Sequence, residues 1–318
     1  MKQIGVVSKF GRLCKLLITS VLLLGGLEVS AQQDPMFTQY MNNMLLVNPA
    51  YAAAGTNLEV LAISRNQWVG IEGAPVTQSL SAMYPLLSDN TGIGLTFLVD
   101  KIGPVQQTAA YFDYAFKFRL ERRLYLSLGV KGGVNFYNTD YSILDVNDDG
   151  DPIFSDDVVR KFLPNVGLGA FLNTDRFYIG LSTPKVITNQ INDVGYSTQF
   201  SSREEIHLFL SGGYVFDLGE DLKFKPYTFI KFVPDAPVSV DLSAHFLLHE
   251  RVWLGANWRI GDAVGAVAQF YINQQFKVGY AYDVTVSDLN SFNRGTHEIL
   301  ISYALNLGRR RFLSPRYF

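Results

Sequence analysis

The sequence predicts an all-β fold, a transmembrane antiparallel β-barrel of about 14 strands with a short N-terminal helical segment. Three observations predict it: strict two-residue alternation, a leader that directs export, and connections that are short at one end of the strands and long at the other. Alternation is clearest where Phe276, Val278, Tyr280, Tyr282, Val284 and Val286 are separated by Lys277, Gly279, Ala281, Asp283 and Thr285. A period of two sends the two sets to opposite faces of a strand. The same pattern runs through Val238–Leu248 and Ile299–Leu307. Segments of roughly ten residues, apolar toward lipid and polar toward a lumen, are the signature of an outer-membrane barrel.

The first element is the leader. Lys2, Lys9, Arg12 and Lys15 precede an apolar stretch from Leu16 to Leu27, and Val29-Ser30-Ala31 follows. This is the layout of a secretory signal peptide cleaved after Ala31. The apolar stretch falls short of the roughly 20 residues of a spanning helix. Cys14, the only cysteine, leaves with the leader, so the mature chain has no disulfide or thiolate chemistry. Four basic residues and one acidic residue, Glu28, leave with it from totals of 27 and 29. The resulting charge near −5 gives no reason to expect nucleic acid as a partner.

The second element is helical. Asp34-Pro35 suits an N-cap and first helical position, Phe37, Met41, Met44 and Leu45 recur at helical spacing, and Asn48-Pro49 stops the run. Residues 32–56 are therefore a segment holding a short amphipathic helix, which serves as a periplasmic ornament, a plug or a docking element.

The barrel occupies residues 57–307. Its predicted strands are Asn57–Trp68, Pro75–Leu86, Thr91–Lys101, Gln107–Leu120, Arg123–Tyr137, Lys161–Asn173 and Arg176–Thr183. They continue as Glu205–Leu218, Leu222–Val233, Val238–His249, Arg251–Gly261, Ala263–Asn273, Gln275–Val286 and His297–Leu307. Tight polar turns at 120–123, 173–176, 218–221, 248–251 and 273–275 share one side, and the long connections 138–160, 184–204 and 287–296 share the other. Short periplasmic turns and long outer loops then place both termini in the periplasm. A soluble β-sandwich also alternates, but 17 Tyr, 23 Phe and 3 Trp are more aromatics than soluble sheets expose. They suffice for interfacial girdles, with Trp68, Trp253 and Trp258 at or near strand ends.

Asp34-Pro35-Met36-Phe37-Thr38-Gln39-Tyr40-Met41-Asn42-Asn43, then Asn48-Pro49-Ala50-Tyr51, then Arg65–Thr77 closely resemble the PorP/SprF family of type IX secretion membrane proteins. The resemblance continues through Pro237–Phe246, Val252–Asp262, Gly279–Asp283 and His297–Ile299 to Ser314–Phe318. It implies an outer-membrane barrel that supports secretion and, in gliding bacteria, surface anchoring of large secreted adhesins. Type IX secretion components, the secreted surface proteins, outer-membrane lipid and a periplasmic lipoprotein are the implied partners. The candidate partner-binding residues in these motifs are Asp34, Pro35, Phe37, Thr38, Gln39, Tyr40, Asn48, Pro49, Tyr51, Arg65, Gln67, Trp68, Arg316, Tyr317 and Phe318.

No catalytic motif is evident. His207, His245, His249 and His297 lie on different strands or turns, and no serine sits in a G-x-S-x-G elbow, so the chain is expected not to be an enzyme. One loop has ligand-like spacing: Asp145, Asn147, Asp149, Gly150 and Asp156 match a calcium loop. Pro152 opposes that reading, and a solvated acidic loop explains the composition better, so Ca²⁺ is a minor expectation and no other cofactor is implied. Residues 308–318 carry Arg309-Arg310-Arg311 and Pro315, which would break a strand ladder, and form a tail beyond the barrel. The alternative to a secretion partner is an outer-membrane channel or hydrophobic-solute transporter with an N-terminal hatch.

Overall fold

A computed structural model describes residues 34–55, 57–86, 90–140, 158–191 and 203–305. The leader, the 145–156 acidic loop and the 308–318 tail with Arg316, Tyr317 and Phe318 lie outside the described residues.

Fifteen strands form one antiparallel sheet that closes on itself. The first eight are β1 Leu58–Asn66, β2 Val76–Pro85, β3 Thr91–Ile102, β4 Val105–Arg119, β5 Tyr125–Asp140, β6 Val158–Asn173, β7 Phe177–Thr183 and β8 Leu208–Tyr214. After them come β9 Phe216–Asp217, β10 Leu222–Phe232, β11 Ser239–Leu248, β12 Val252–Arg259, β13 Ala263–Tyr271, β14 Phe276–Thr285 and β15 Thr296–Leu305. Apart from β8 and β9, which both pair with β10, each strand pairs with its sequence neighbours, and β15 pairs with β1 from Leu58↔Leu305 to Asn66↔His297. Closure removes every sheet edge, the condition under which strands can cross a bilayer.

Strands β8 and β9 are one wall element broken at Val215, so the barrel has fourteen staves, as the alternation predicts. The break has a local cause. Strand β10 pairs with β8 from Phe232↔Leu208 to Tyr227↔Gly213 and with β9 at Phe224↔Phe216, so the gap falls opposite Lys225 and Pro226. Proline has no N–H for the ladder. The Val215 N–H donates to the Arg176 carbonyl at 2.8 Å, on the β7 side.

The faces separate as predicted. Along β14, Lys277, Gly279, Ala281, Asp283 and Thr285 are buried inward, and Tyr280 and Val284 are exposed outward. Outward aromatics include Phe97, Phe112 and Tyr280 at mid-strand and two further sets near the rims. Phe116, Phe118, Phe216, Phe246 and Phe270 lie toward the short hairpins, whereas Phe136, Phe162, Phe232 and Trp258 lie toward the long connections. Trp253 corrects the girdle expectation: it is buried in the lumen, 5.9 Å from Lys225 Nζ. Its position next to Val252 at the start of β12 fixes its parity, and the ladder turns that parity inward.

If the outward face is lipid-exposed, Val130→Arg, flanked outward by Leu128 and, across the ladder, by Tyr114 and Leu168, costs about 2–4 kcal/mol near the midplane. Gln274→Arg in a hairpin stays within about 0.5 kcal/mol. Urea unfolding in lipid vesicles measures both, and equal effects would mean the outward set does not face hydrocarbon.

Candidate functional site

The lumen is occupied by the chain itself. Residues Asp34–Ala53 run inside the barrel, with Phe37, Tyr40, Met44, Leu45, Ala50 and Tyr51 buried against the inner wall. The expected amphipathic α-helix is not formed. Three short 3₁₀ turns, Tyr40–Asn42, Met44–Leu46 and Pro49–Ala53, replace it. Asn48-Pro49, read from the sequence as a stop, begins the third turn instead: the Asn48 side chain accepts from the Ala50 N–H at 3.0 Å, and Pro49 takes the first helical position.

The path has a direction. Asp34 lies beside Lys185, in the long β7–β8 connection, at 2.6 Å. Leu45 lies midway, its carbonyl accepting from Lys131 Nζ on β5 at 2.9 Å. Ala52 reaches Gly92 at the short-hairpin end of β3, and the chain then enters β1. The segment therefore traverses the lumen from the long-loop rim to the short-hairpin rim.

Charged wall residues hold the upper part. Glu298 on β15 accepts from the backbone N–H groups of Thr38 at 2.8 Å and Gln39 at 3.0 Å. Arg65 on β1 donates to Thr38 Oγ1 at 2.8 Å and pairs with Asp283 and Glu298, both at 3.1 Å. The Thr38 hydroxyl also donates to Asp283. Arg259, paired with Asp241 at 2.9 Å, donates to the Phe37 carbonyl at 3.2 Å. Tyr40 stacks on Phe229 with centroids 4.3 Å apart, and Gln39 Oε1 accepts from Gln269 at 2.9 Å. Burial pushes the Asp34 carboxyl up, but Lys185 and His207 outweigh it and hold the group at about 2. The stability this contributes is present above the ordinary carboxylate value near ~4 and is lost as pH falls toward 2.

Inward glycines make room for the lower part. A Cβ on Gly92 would lie 2.0 Å from the Ala52 carbonyl oxygen, and one on Gly129 2.4 Å from the Ala50 nitrogen. One on Gly169 would lie 2.1 Å from Asn48 Oδ1, whose amide donates to the Ala170 carbonyl at 3.0 Å. Tyr51 meets Phe171 edge-on at 5.5 Å.

Of the candidate residues, Asp34, Phe37, Thr38, Gln39, Tyr40, Asn48, Pro49, Tyr51 and Arg65 thus meet in one intramolecular interface, and the Pro35 carbonyl accepts from the Tyr40 hydroxyl at 3.2 Å. Gln67 and Trp68 stand apart at the long-loop rim, where the Trp68 N–H donates to Thr296 Oγ1 at 3.2 Å. Sequence reasoning missed Lys131, Asp241, Arg259, Asp283, Glu298 and the glycines. Inward charges also suit a water-filled lumen, so their presence did not disclose an occupant. The histidines are dispersed: His207 and His245 are buried inside, His249 is in a turn, and His297 faces outward and contacts the Tyr280 hydroxyl at 2.6 Å. Among the described residues no three His, Cys, Asp or Glu side chains are grouped to hold a metal ion.

The family described as "Type IX secretion system membrane protein PorP/SprF" matches residues 29–303. The chain belongs to this PorP/SprF family. Solved structures similar to this PorP/SprF barrel include Omp33 of Acinetobacter baumannii, at 12% identity, 79% coverage of this chain and 98% of that one, and a TM-score of 0.45. A TodX deltaS2S3 mutant, titled a monoaromatic hydrocarbon channel, is similar at 10% identity, 83% and 94% coverage, and a TM-score of 0.48. KdgM porin is similar at 8% identity, 77% and 98% coverage, and a TM-score of 0.38. No curated protein matches the chain in sequence.

Removing Arg65 leaves Asp283 and Glu298 buried without their cation, so Arg65→Met should destabilise the folded barrel by about 3–5 kcal/mol. Gly129→Leu should unseat the lumenal segment and expose Leu45 and Met44 to protease or thiol labelling of introduced cysteines. A Gly129→Leu barrel as protected as wild type would refute the close approach at Ala50.

Proposed function

We propose that this PorP/SprF protein is a plugged, non-enzymatic partner of type IX secretion that positions or anchors large secreted proteins at the cell surface. Family membership over nearly the whole chain supports the secretion role, and the occupied lumen supports a partner rather than a passage. A solute channel would need Asp34–Ala53 to leave, breaking the bonds to Glu298, Arg65, Arg259 and Lys131. With the wall committed to its own chain, recognition falls to the rims. There the 67–75 and 286–295 connections are joined, Val69 N–H donating to the Gly295 carbonyl at 2.9 Å and Arg294 N–H to the Val69 carbonyl at 2.7 Å. Rigidly held loops are where binding residues concentrate. We assign this long-loop rim to the cell surface, and the short-hairpin rim, with the basic, aromatic 308–318 tail, to periplasmic components such as a lipoprotein.

Deletion of the gene should strand one or more large secreted proteins, abolishing their surface display while small-solute uptake stays normal. The purified barrel should show no steady conductance in planar bilayers. A strain with normal surface proteins and impaired uptake of a small solute would favour the channel.

A further inference from the structure

The outward face of β3–β6 carries a polar row just beyond the aromatic zone at the long-loop end. Cross-strand register places Lys101 beside Gln106, Gln106 beside Asn138, and Asn138 beside Arg160. Lys101, Gln106 and Arg160 are exposed and Asn138 is half-buried, all with the parity of the outward face. Three strand spacings separate Lys101 from Arg160, roughly 14 Å. The row next toward the short hairpins is apolar at β5 and β6, where Phe136 and Phe162 meet at 5.2 Å. An open cavity of about 410 Å³ lies there, lined by Phe136, Tyr137, Asn138, Arg160, Lys161 and Phe162. Asp140 follows one register step further out on the same face.

Two cations and two amides in one row, with Phe136 and Phe162 beneath its β5–β6 end, form an amphiphile site: phosphate oxygens would meet Lys101 and Arg160, sugar hydroxyls Gln106 and Asn138, and an acyl chain the phenyl rings. Arginine and lysine at a membrane surface attract anionic headgroups, and an arginine fork suits phosphate. We propose that this row binds the phosphorylated glycolipid of the outer leaflet. The inference rests on the assignment of the long-loop rim to the cell surface.

The test is native mass spectrometry of the full barrel released from mild detergent, titrated with lipid A. Wild type should retain lipid A, Lys101→Gln/Arg160→Gln should bind at least tenfold more weakly, and dephosphorylated lipid A should behave like the double variant. Heat-modifiable migration verifies that the variant is folded. Equal binding by the double variant, or by the dephosphorylated lipid, would overturn the proposal. Equal competition by phosphatidylglycerol would place the row in a phospholipid leaflet, and competition by inorganic phosphate would show an anion site without lipid preference; each also overturns it. The readout is independent of secretion, so a failed secretion phenotype and a failed lipid site remain separable.

Discussion

Arg65 stands where the barrel closes on itself, and the closed ladder depends on that closure. It is the register partner of Glu298 across the β1–β15 junction, and Asp283 lies on the neighbouring β14. One guanidinium therefore ties the first strand, the last two strands and, through Thr38, the lumenal segment. Such a buried cluster is costly to desolvate and strongly destabilising to break, so its worth lies in fixing one arrangement. Here that arrangement is both the strand register at the junction and the position of the chain inside.

The traverse constrains how the barrel can form. The segment enters at one rim and leaves at the other, contacting β3, β5, β6, β10, β12 and β15 on the way. A finished barrel would have to be threaded, whereas an open sheet can curl around a segment already bound to it. Glycines on β3, β5 and β6 leave the lower segment no slack, since a single Cβ would enter its backbone at Gly92 and Gly129 and the Asn48 side chain at Gly169. Closing β15 onto β1 last, with Thr38 already bridging to Glu298, satisfies both facts.

The barrel was legible in the sequence because lipid forces one face of every strand to be apolar. Period, stave number and the asymmetry of the connections follow from that single demand, and the strand ends differ by only a few residues, as at β5, predicted to stop at Tyr137 and extending to Asp140. The inner face was less legible. Ser79, Lys131 and Asn257 satisfy alternation whether they meet water or protein. Trp253 was misjudged because an aromatic near a strand end fits a girdle unless its parity is followed through the ladder. The candidate residues from Asp34 to Arg65 share one site, yet the binding partner they meet in this structure is the barrel itself.

The failure of the helix expectation has the same origin. An isolated helix must satisfy its own backbone, and Phe37, Met41, Met44 and Leu45 offered a suitable stripe. Inside the barrel the wall supplies those bonds: Glu298 takes two N–H groups, Arg259 and Lys131 donate to the carbonyls of Phe37 and Leu45, and Lys131 also reaches Leu46 at 3.2 Å. Charged side chains on fixed strands thus replace intrahelical partners, and the segment is free to adopt short turns that send apolar groups to several sides at once. An apolar stripe on one face would fill only one side of a fourteen-stave lumen. Three successive 3₁₀ turns place Tyr40 against β10 and Tyr51 against β6, on walls that a single helical face could not reach together.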